Sequence, residues 1–174
     1  MRFLSYRGFF VTLQEMKIPM KKILFTLIIA LAAIAGAAAQ GPADPVAWRS
    51  NVKMQSATKG TITFTAIVNQ GWHLYGMQLP KGGPKPTVFS FTGSKGVKFL
   101  GTPVPSVKPV KKHDAMFDAD VTYWEGRVKF TVDFEITDRA KASLAASVTY
   151  MGCNDQTCSP PRTHKFNLRI PAAK

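Results

Sequence analysis

A strict two-residue alternation of apolar and polar side chains is the dominant pattern of this chain beyond its first 40 residues. In residues 61–68, Ile62, Phe64, Ala66 and Val68 occupy one face, while threonines fill most of the other. This is the period of a half-buried β-strand. The pattern therefore predicts strands with one buried face.

Further strands are predicted by the same alternation at 87–91, 127–136, 143–150 and 165–170, with weaker candidates at 52–55, 73–75 and 97–100. Clusters of Gly, Pro and Asn, such as those at 69–71 and 81–86, favour turns between them. No long helical period is present, and residues 138–141 suggest only a turn. About eight short strands with frequent turns predict an all-β antiparallel sandwich.

The N-terminal segment has the three parts of a secretory signal peptide. Lys21 and Lys22 precede an apolar run at 23–34, and small residues follow at 37–39. We expect cleavage after Ala39, with residues 1–19 as an upstream start or an unusually long leader. The apolar run is shorter than the roughly 20 residues that span a bilayer, so residues 40–174 are expected to form one exported, periplasmic domain without a membrane span.

Basic residues outnumber acidic ones, with 23 Lys and Arg against 10 Asp and Glu and a formal net charge of +13. Such an excess is typical of proteins that bind nucleic acid or an anionic surface. The lysines are scattered, however, and only Lys108, Lys111 and Lys112 are crowded together. We expect a solvated basic surface and no nucleic-acid partner.

Only two cysteines occur, Cys153 and Cys158, five positions apart. In the oxidising compartment that the signal peptide implies, such a pair is a disulfide candidate. Even a 15-residue loop gains only roughly 3 kcal/mol from closure in the entropic model, so this short ring favours a chemical role over a stabilising one. The alternative is an inert disulfide that ties a loop. A thioredoxin-type C-x-x-C at a helix start is not present, because strand-like sequence precedes the pair.

Metal binding is the less favoured use of the two thiols. The chain's histidines lack zinc-motif spacing to the cysteines; they are His73, His113 and His164. The methionines beyond residue 40 are dispersed, which is more typical of core packing than of copper sites; they are Met54, Met77, Met116 and Met151. We expect no metal and no cofactor, and the usual hydrolase signatures are absent.

Residues 148–161, VTYMGCNDQTCSPP, resemble the active-site segment of the N-terminal periplasmic domain of the thiol:disulfide interchange protein DsbD. Residues 71–75, GWHLY, are similar to the aromatic strand beside the cysteines in that family, and residues 113–117 followed by Tyr123 are similar to its cap loop. The similarity spans roughly residues 46–170. It implies an immunoglobulin-like fold.

The resemblance also implies a function, which is thiol:disulfide interchange of the protein-disulfide reductase type. A redox-active cysteine pair would take electrons from a thioredoxin-like domain or a membrane electron carrier and pass them to oxidised exported proteins. Mapped onto this chain, the cysteine that exchanges with the partner is Cys158, and the one that resolves the mixed disulfide is Cys153. The runner-up is a non-enzymatic immunoglobulin-like binding module with a structural disulfide.

A reactive dithiol in an oxidising compartment needs protection from the wrong oxidant. By resemblance we expect Phe117 to shield the sulfurs, with Met116 as the alternative one residue away. We expect Tyr75, His73 and Tyr150 either to form a wall of the site or simply to pack within the sandwich. Asp155 lies between the cysteines, where its charge would raise the pKa of a neighbouring thiol, whereas Arg162 or Lys165 would lower it.

Two departures from the family pattern stand out. The cysteines are one residue closer together than the five intervening residues of the best-known member. The sequence also ends at Lys174, before the membrane and thioredoxin-like domains that follow in the family's namesake. We expect either a free-standing adaptor or a reuse of the fold.

Overall fold

The computed structural model describes residues 43–171, so the predicted signal peptide and its cleavage site after Ala39 lie outside the described residues. Within this range the chain is built from strands and turns, with no α-helix and hence none that could cross a membrane. The strands are β1 (Val46–Met54), β2 (Lys59–Val68), β3 (His73–Tyr75), β4 (Val88–Ser90), β5 (Val97–Pro105), β6 (Val110–Asp114), β7 (Ala119–Trp124), β8 (Arg127–Ile136), β9 (Ala146–Tyr150), β10 (Gly152–Cys153) and β11 (Arg162–Phe166).

Three antiparallel sheets form the fold. The first has the order β1-β2-β8-β5, the second β10-β3-β7-β6 and the third β11-β9-β4. β9 of the third sheet leads through Met151 directly into β10 of the second. The two cysteines therefore follow the point where the chain passes from one sheet to the other.

One aromatic-rich core joins the three sheets. Trp48 of β1 contacts Tyr150 of β9 and Phe166 of β11, with ring centroids 5.4 and 6.1 Å apart. Trp124 of β7 meets Phe130 of β8 edge to face at 5.1 Å. Edge-to-face and tilted arrangements suit the quadrupoles of these rings. The first sheet thus packs against both of the others, which confirms the predicted all-β antiparallel architecture.

The alternation in the sequence matches the burial pattern of the long central strands. Ile62, Phe64 and Ala66 of β2 are fully buried, and the threonines between them are half-buried. β8 follows the same rule, and Phe64 lies directly opposite Phe130 in the sheet. Opposed side chains of neighbouring strands share a face, so the two strands turn their apolar rows to the same core.

Several predicted strand limits are corrected. The strand expected at 52–55 begins at Val46, and the one expected at 97–100 continues to Pro105 through an irregularity after Leu100. The strand expected at 165–170 is shifted to Arg162–Phe166, because it begins as soon as the chain leaves Pro161. The one at 143–150 is shortened to Ala146–Tyr150. Three strands were not predicted, namely β6, β7 and β10.

Candidate functional site

The sheet β10-β3-β7-β6 turns its two faces to different surroundings. Leu74 and Trp124, which lie opposite each other, point into the main core. On the other face Cys153 lies opposite His73, and Tyr75 lies opposite Tyr123. The cysteine face is therefore separated from the main core by the thickness of the sheet.

This second face carries a small core of its own. Its buried members are Tyr75, Val121, Met151 and Cys153. Phe117 and Cys158 are among the partly buried residues packed against it. The candidate redox site thus lies in an apolar cluster between the sheet and the surface.

A tight turn carries the two cysteines. Asn154 organises it, because its side-chain oxygen accepts hydrogen bonds from the backbone N–H groups of Gln156 at 2.9 Å and Thr157 at 2.7 Å. Cys153 and Cys158 pair across the turn as an antiparallel bridge, with Cα atoms 4.0 Å apart, and their sulfurs are joined in a disulfide. Such an Asx turn, in which the Asn side chain binds the backbone two or three residues further on, fixes the conformation of the loop without any helix.

The exit of the turn is fixed by Ser159. Its backbone N–H donates to the Gly152 carbonyl at 2.8 Å, and its hydroxyl accepts from the Gly152 N–H at 3.2 Å. Gly152 is required here, since a Cβ at this position would stand 2.7 Å from Cγ of Pro45. The segment that carries the cysteines thus consists of a short strand, a turn and a bridge, which place both sulfurs on the same side of the sheet.

The two sulfurs differ in exposure. Cys153 is 1% exposed, whereas Cys158 is partly exposed and lies at the edge of the small core. A reagent from solvent therefore meets Cys158 first. In thiol–disulfide exchange, access decides which sulfur is attacked.

A hairpin formed by β6 and β7 covers Cys158. Its turn spans residues 115–118, with Asp118 in the left-handed region at φ 47°, a conformation that Asp tolerates better than most residues. The sulfur of Met116 lies 3.6 Å from Sγ of Cys158, and half of the Met116 side chain is exposed. Phe117 turns inward instead and packs edge to face on Tyr75, with centroids 6.1 Å apart. Met116 is thus the residue in contact with the accessible sulfur, and Phe117 anchors the turn behind it.

Asp114 ties this hairpin to the sheet. One carboxylate oxygen accepts the hydroxyl of Tyr75 at 2.6 Å, and the other accepts the backbone N–H of Met116 at 2.9 Å. Burial raises the pKa of Tyr75 well above its ordinary value, and the hydrogen bond to Asp114 adds to this, so the phenol stays a donor. Burial alone would raise the pKa of Asp114, but the hydrogen bonds from Tyr75, Met116 and Phe117 together hold it below its ordinary value.

His73 lies in the wall between the two tyrosines. Its ring centroid is 5.0 Å from that of Tyr75 and 4.8 Å from that of Tyr123. Nε2 is buried and has no hydrogen-bond partner among residues 43–171. Burial lowers the pKa of His73, although nearby carboxylates led by Asp114 oppose the shift.

A pocket of about 210 Å³ opens beside these residues, lined among others by His73, Lys112, Asp114, Met116 and Asn154. Asp155 lies at its rim and pairs with Lys112 at 3.6 Å. Both side chains are largely exposed, so solvent weakens the pair. Asp155 is accordingly a surface residue of the cysteine turn whose charge is partly balanced.

Tyr150 is the predicted site residue that lies elsewhere. It is buried in the main core against Trp48, and its hydroxyl donates to Asp44. Burial, together with that hydrogen bond, raises its pKa. Within the described residues there is no group of three or more His, Cys, Asp or Glu side chains suited to a metal ion.

The Asp114 anchor predicts a pH dependence of stability. Because the pKa of Asp114 is lowered in the folded protein, its contribution is complete above the ordinary Asp pKa of about 3.9 and is lost as the pH falls through the lower folded value. Asp114→Asn should cost about 1 kcal/mol at neutral pH, less than the roughly 1.5–3 kcal/mol of a hydrogen bond to a charged group, because solvent screens the partly exposed carboxylate. Urea unfolding of both proteins from pH 7 to pH 2 should show this difference shrinking below pH 4. A difference that is constant with pH would contradict the anchor.

Comparisons with known proteins agree with this geometry. The family model "Thiol:disulfide interchange protein DsbD, N-terminal" matches residues 42–170. No curated protein matches the chain. The N-terminal periplasmic domain of ScsB from Proteus mirabilis is similar in structure, with a TM-score of 0.53 and 17% identity over 74% of this chain and 48% of that one. This chain therefore spans about half the length of that one.

The N-terminal domain of DsbD from Neisseria meningitidis, in its reduced form, gives a TM-score of 0.46 and 18% identity over 68% of this chain and 89% of that one. The three antiparallel sheets and the match to the family model confirm the predicted immunoglobulin-like fold, and the family supports a thiol–disulfide exchange domain with a cysteine pair. Since the family model covers nearly all of the described residues, the chain belongs to the family of the N-terminal domain of the thiol:disulfide interchange protein DsbD.

Proposed function

We propose that this chain is a periplasmic thiol–disulfide exchange domain, which passes electrons from a thioredoxin-like domain or membrane electron carrier to oxidised exported proteins. Residues 1–39 are its leader and signal peptide, and residues 40–174 are its working domain. The observation that carries the proposal is the unequal exposure of Cys153 and Cys158 beneath a short covering hairpin. A purely structural disulfide has no need of such an arrangement.

Reduction of the domain follows from this geometry in two steps. A partner thiolate attacks Sγ of Cys158, the bond between the two cysteine sulfurs breaks, and its electron pair leaves on Cys153 as a thiolate. The partner's second thiolate then attacks the partner sulfur that is bonded to Cys158, which releases Cys158 as a thiolate. The partner leaves oxidised, and the domain holds both electrons.

The transfer of electrons to a client disulfide uses the same two kinds of step, with the reduced domain now as the electron donor. The Cys158 thiolate attacks a client disulfide and forms a mixed disulfide, and one client sulfur leaves as a thiolate. Cys153 then attacks Sγ of Cys158, which restores the internal disulfide and releases the second client thiol. The buried position of Cys153, held by its turn to Cys158, suits this resolving step because it is the nearest nucleophile.

The experiment is a direct transfer assay. The oxidised domain is mixed with a reduced thioredoxin-fold protein, quenched in acid and alkylated, and the thiols on each protein are counted by mass. We expect two thiols to appear on the domain for every two lost by the partner. A disulfide that stays intact with the protein reductant, and opens only in excess dithiothreitol, would favour the structural binding module instead.

A further inference from the structure

The exchange steps create a thiolate in an unfavourable place. Cys153 is 1% exposed and belongs to an apolar cluster with Tyr75, Val121 and Met151. A buried, unpaired charge is costly unless a cation or hydrogen-bond donor accompanies it. The departing electron pair on Cys153 therefore needs a neighbouring group that offers a proton or positive charge.

The sheet register places one such group beside it. Cys153 lies directly opposite His73 in the β10-β3 pairing, and directly opposed residues share a face with Cβ atoms about 4.5–5.5 Å apart. The imidazole is held between Tyr75 and Tyr123, and its buried Nε2 has no partner among the described residues. An imidazole nitrogen left without a bond is unusual in a folded protein.

We propose that His73 is a catalytic residue of the exchange reaction, whose imidazole stabilises the Cys153 thiolate through a hydrogen bond and a proton taken up from solvent. This inference rests on the proposed function and names a residue for its buried half-reaction. While the disulfide is intact, burial lowers the pKa of His73, which favours the neutral imidazole. When the sulfur bond breaks, the new negative charge favours the imidazolium, and a proton enters through the pocket that His73 lines.

The same pair works in the opposite direction. In the mixed disulfide between Cys158 and a client, an imidazolium beside Cys153 lowers the pKa of that thiol and raises the fraction of thiolate that attacks Sγ of Cys158, with the client sulfur as the leaving group. As Cys153 gives up its charge to the new sulfur bond, the proton returns to solvent. The bonds, electrons and protons balance in both directions without a further reactant.

Other charged and titratable groups face His73 and bear on its pH dependence. They are Lys112, His113 and Asp114 of β6, Tyr123 of β7 and Glu125 after it, Tyr75 on its own strand, and Asp155 of the cysteine turn. The carboxylates favour the imidazolium and Lys112 opposes it. None of these groups is the residue directly opposite Cys153 in the sheet.

The test uses a protein in which Cys153 is the single thiol, Cys158→Ser, and follows thiolate formation by ultraviolet absorbance against pH. Adding His73→Phe keeps an aromatic ring but removes the donor, and it should raise the pKa of Cys153 by about one unit, a tenfold loss of thiolate. His73→Gln keeps a donor without a proton that titrates, so it should give an intermediate value. His164→Gln, on β11 of the third sheet and outside this pocket, is the matched control and should leave the pKa of Cys153 unchanged.

A second readout separates this inference from the proposed function. In the two-cysteine protein, His73→Phe should slow reduction by a small dithiol about tenfold at pH 7 and flatten the pH profile of the rate. An unchanged Cys153 titration and unchanged rates in both His73 variants would overturn the role of His73. Failure of the wild-type protein to exchange with a protein partner would instead count against the proposed function, while the Cys153 titration would still decide the inference.

Discussion

Cys153→Ser is expected to stop exchange at a stable mixed disulfide, whereas Cys158→Ser is expected to prevent the first step altogether. Cys158 is the sulfur that solvent and a partner can reach, and Cys153 is buried beneath it. Without Cys153, the domain has no internal nucleophile to release a partner bound through Cys158, so a partner that also lacks its second cysteine stays attached. In Cys158→Ser, the remaining thiol of Cys153 is buried within the small core, so it reacts slowly.

The measurement is intact mass after each reduced single-cysteine variant is incubated with a thioredoxin-fold protein that keeps one active-site cysteine, activated as a mixed disulfide with a small thiol. The small thiol leaves when the variant attacks, and this partner has no second thiolate to reverse the reaction. Nearly complete conversion to the mixed disulfide is expected for Cys153→Ser, and little for Cys158→Ser. The double serine variant is the control for non-specific adducts. Preferential trapping through Cys153 would overturn the assignment of roles, because it would show that the buried sulfur is the one attacked.

Met116→Ala is expected to expose Cys158 and to speed oxidation of the reduced protein by a small disulfide about tenfold, which corresponds to ~1.4 kcal/mol of barrier. The reason is that the Met116 sulfur lies 3.6 Å from Sγ of Cys158, while the rest of its side chain is half exposed. Its removal should leave the free energy of unfolding nearly unchanged. Met116→Leu keeps an apolar cover of similar size and should react at the wild-type rate.

Phe117→Ala separates the two candidates for the shield. Phe117 packs on Tyr75 behind the covering turn, so its loss should both loosen the turn and lower the free energy of unfolding. Measuring oxidation rate and urea stability on all three variants resolves the roles. If Met116→Ala reacts like the wild type and only Phe117→Ala is faster, the shield is Phe117, as the family resemblance suggested.

Residue alternation identified the frame of the fold because each long central strand has one buried face. The row Ile62, Phe64 and Ala66 has no other stable placement than a half-buried strand. The family resemblance placed a cap loop at residues 113–117, but the alternation did not predict the two strands β6 and β7 that carry it, for the opposite physical reason. Most of β6 is exposed, including Lys111 and Lys112, so its sequence carries no apolar period.

The composition of the site depended on contacts that local sequence does not encode. Met116 and Phe117 are neighbours, and which of them meets Cys158 is set by the register of β6 on β7 and by the Asp118 turn. His73 and Cys153 are far apart in sequence and meet only through sheet pairing. Tyr150, three residues before Cys153, turns to the main core because Tyr150 and Cys153 belong to different sheets.

The reduction potential of the Cys153–Cys158 pair tests most directly whether this disulfide takes part in exchange. The domain is equilibrated in glutathione and dithiothreitol buffers of defined potential, and its free thiols are counted by mass. We expect a value between about −180 and −270 mV, the range of proteins that exchange disulfides. A value below about −300 mV, typical of structural disulfides in secreted proteins, would contradict a role in exchange.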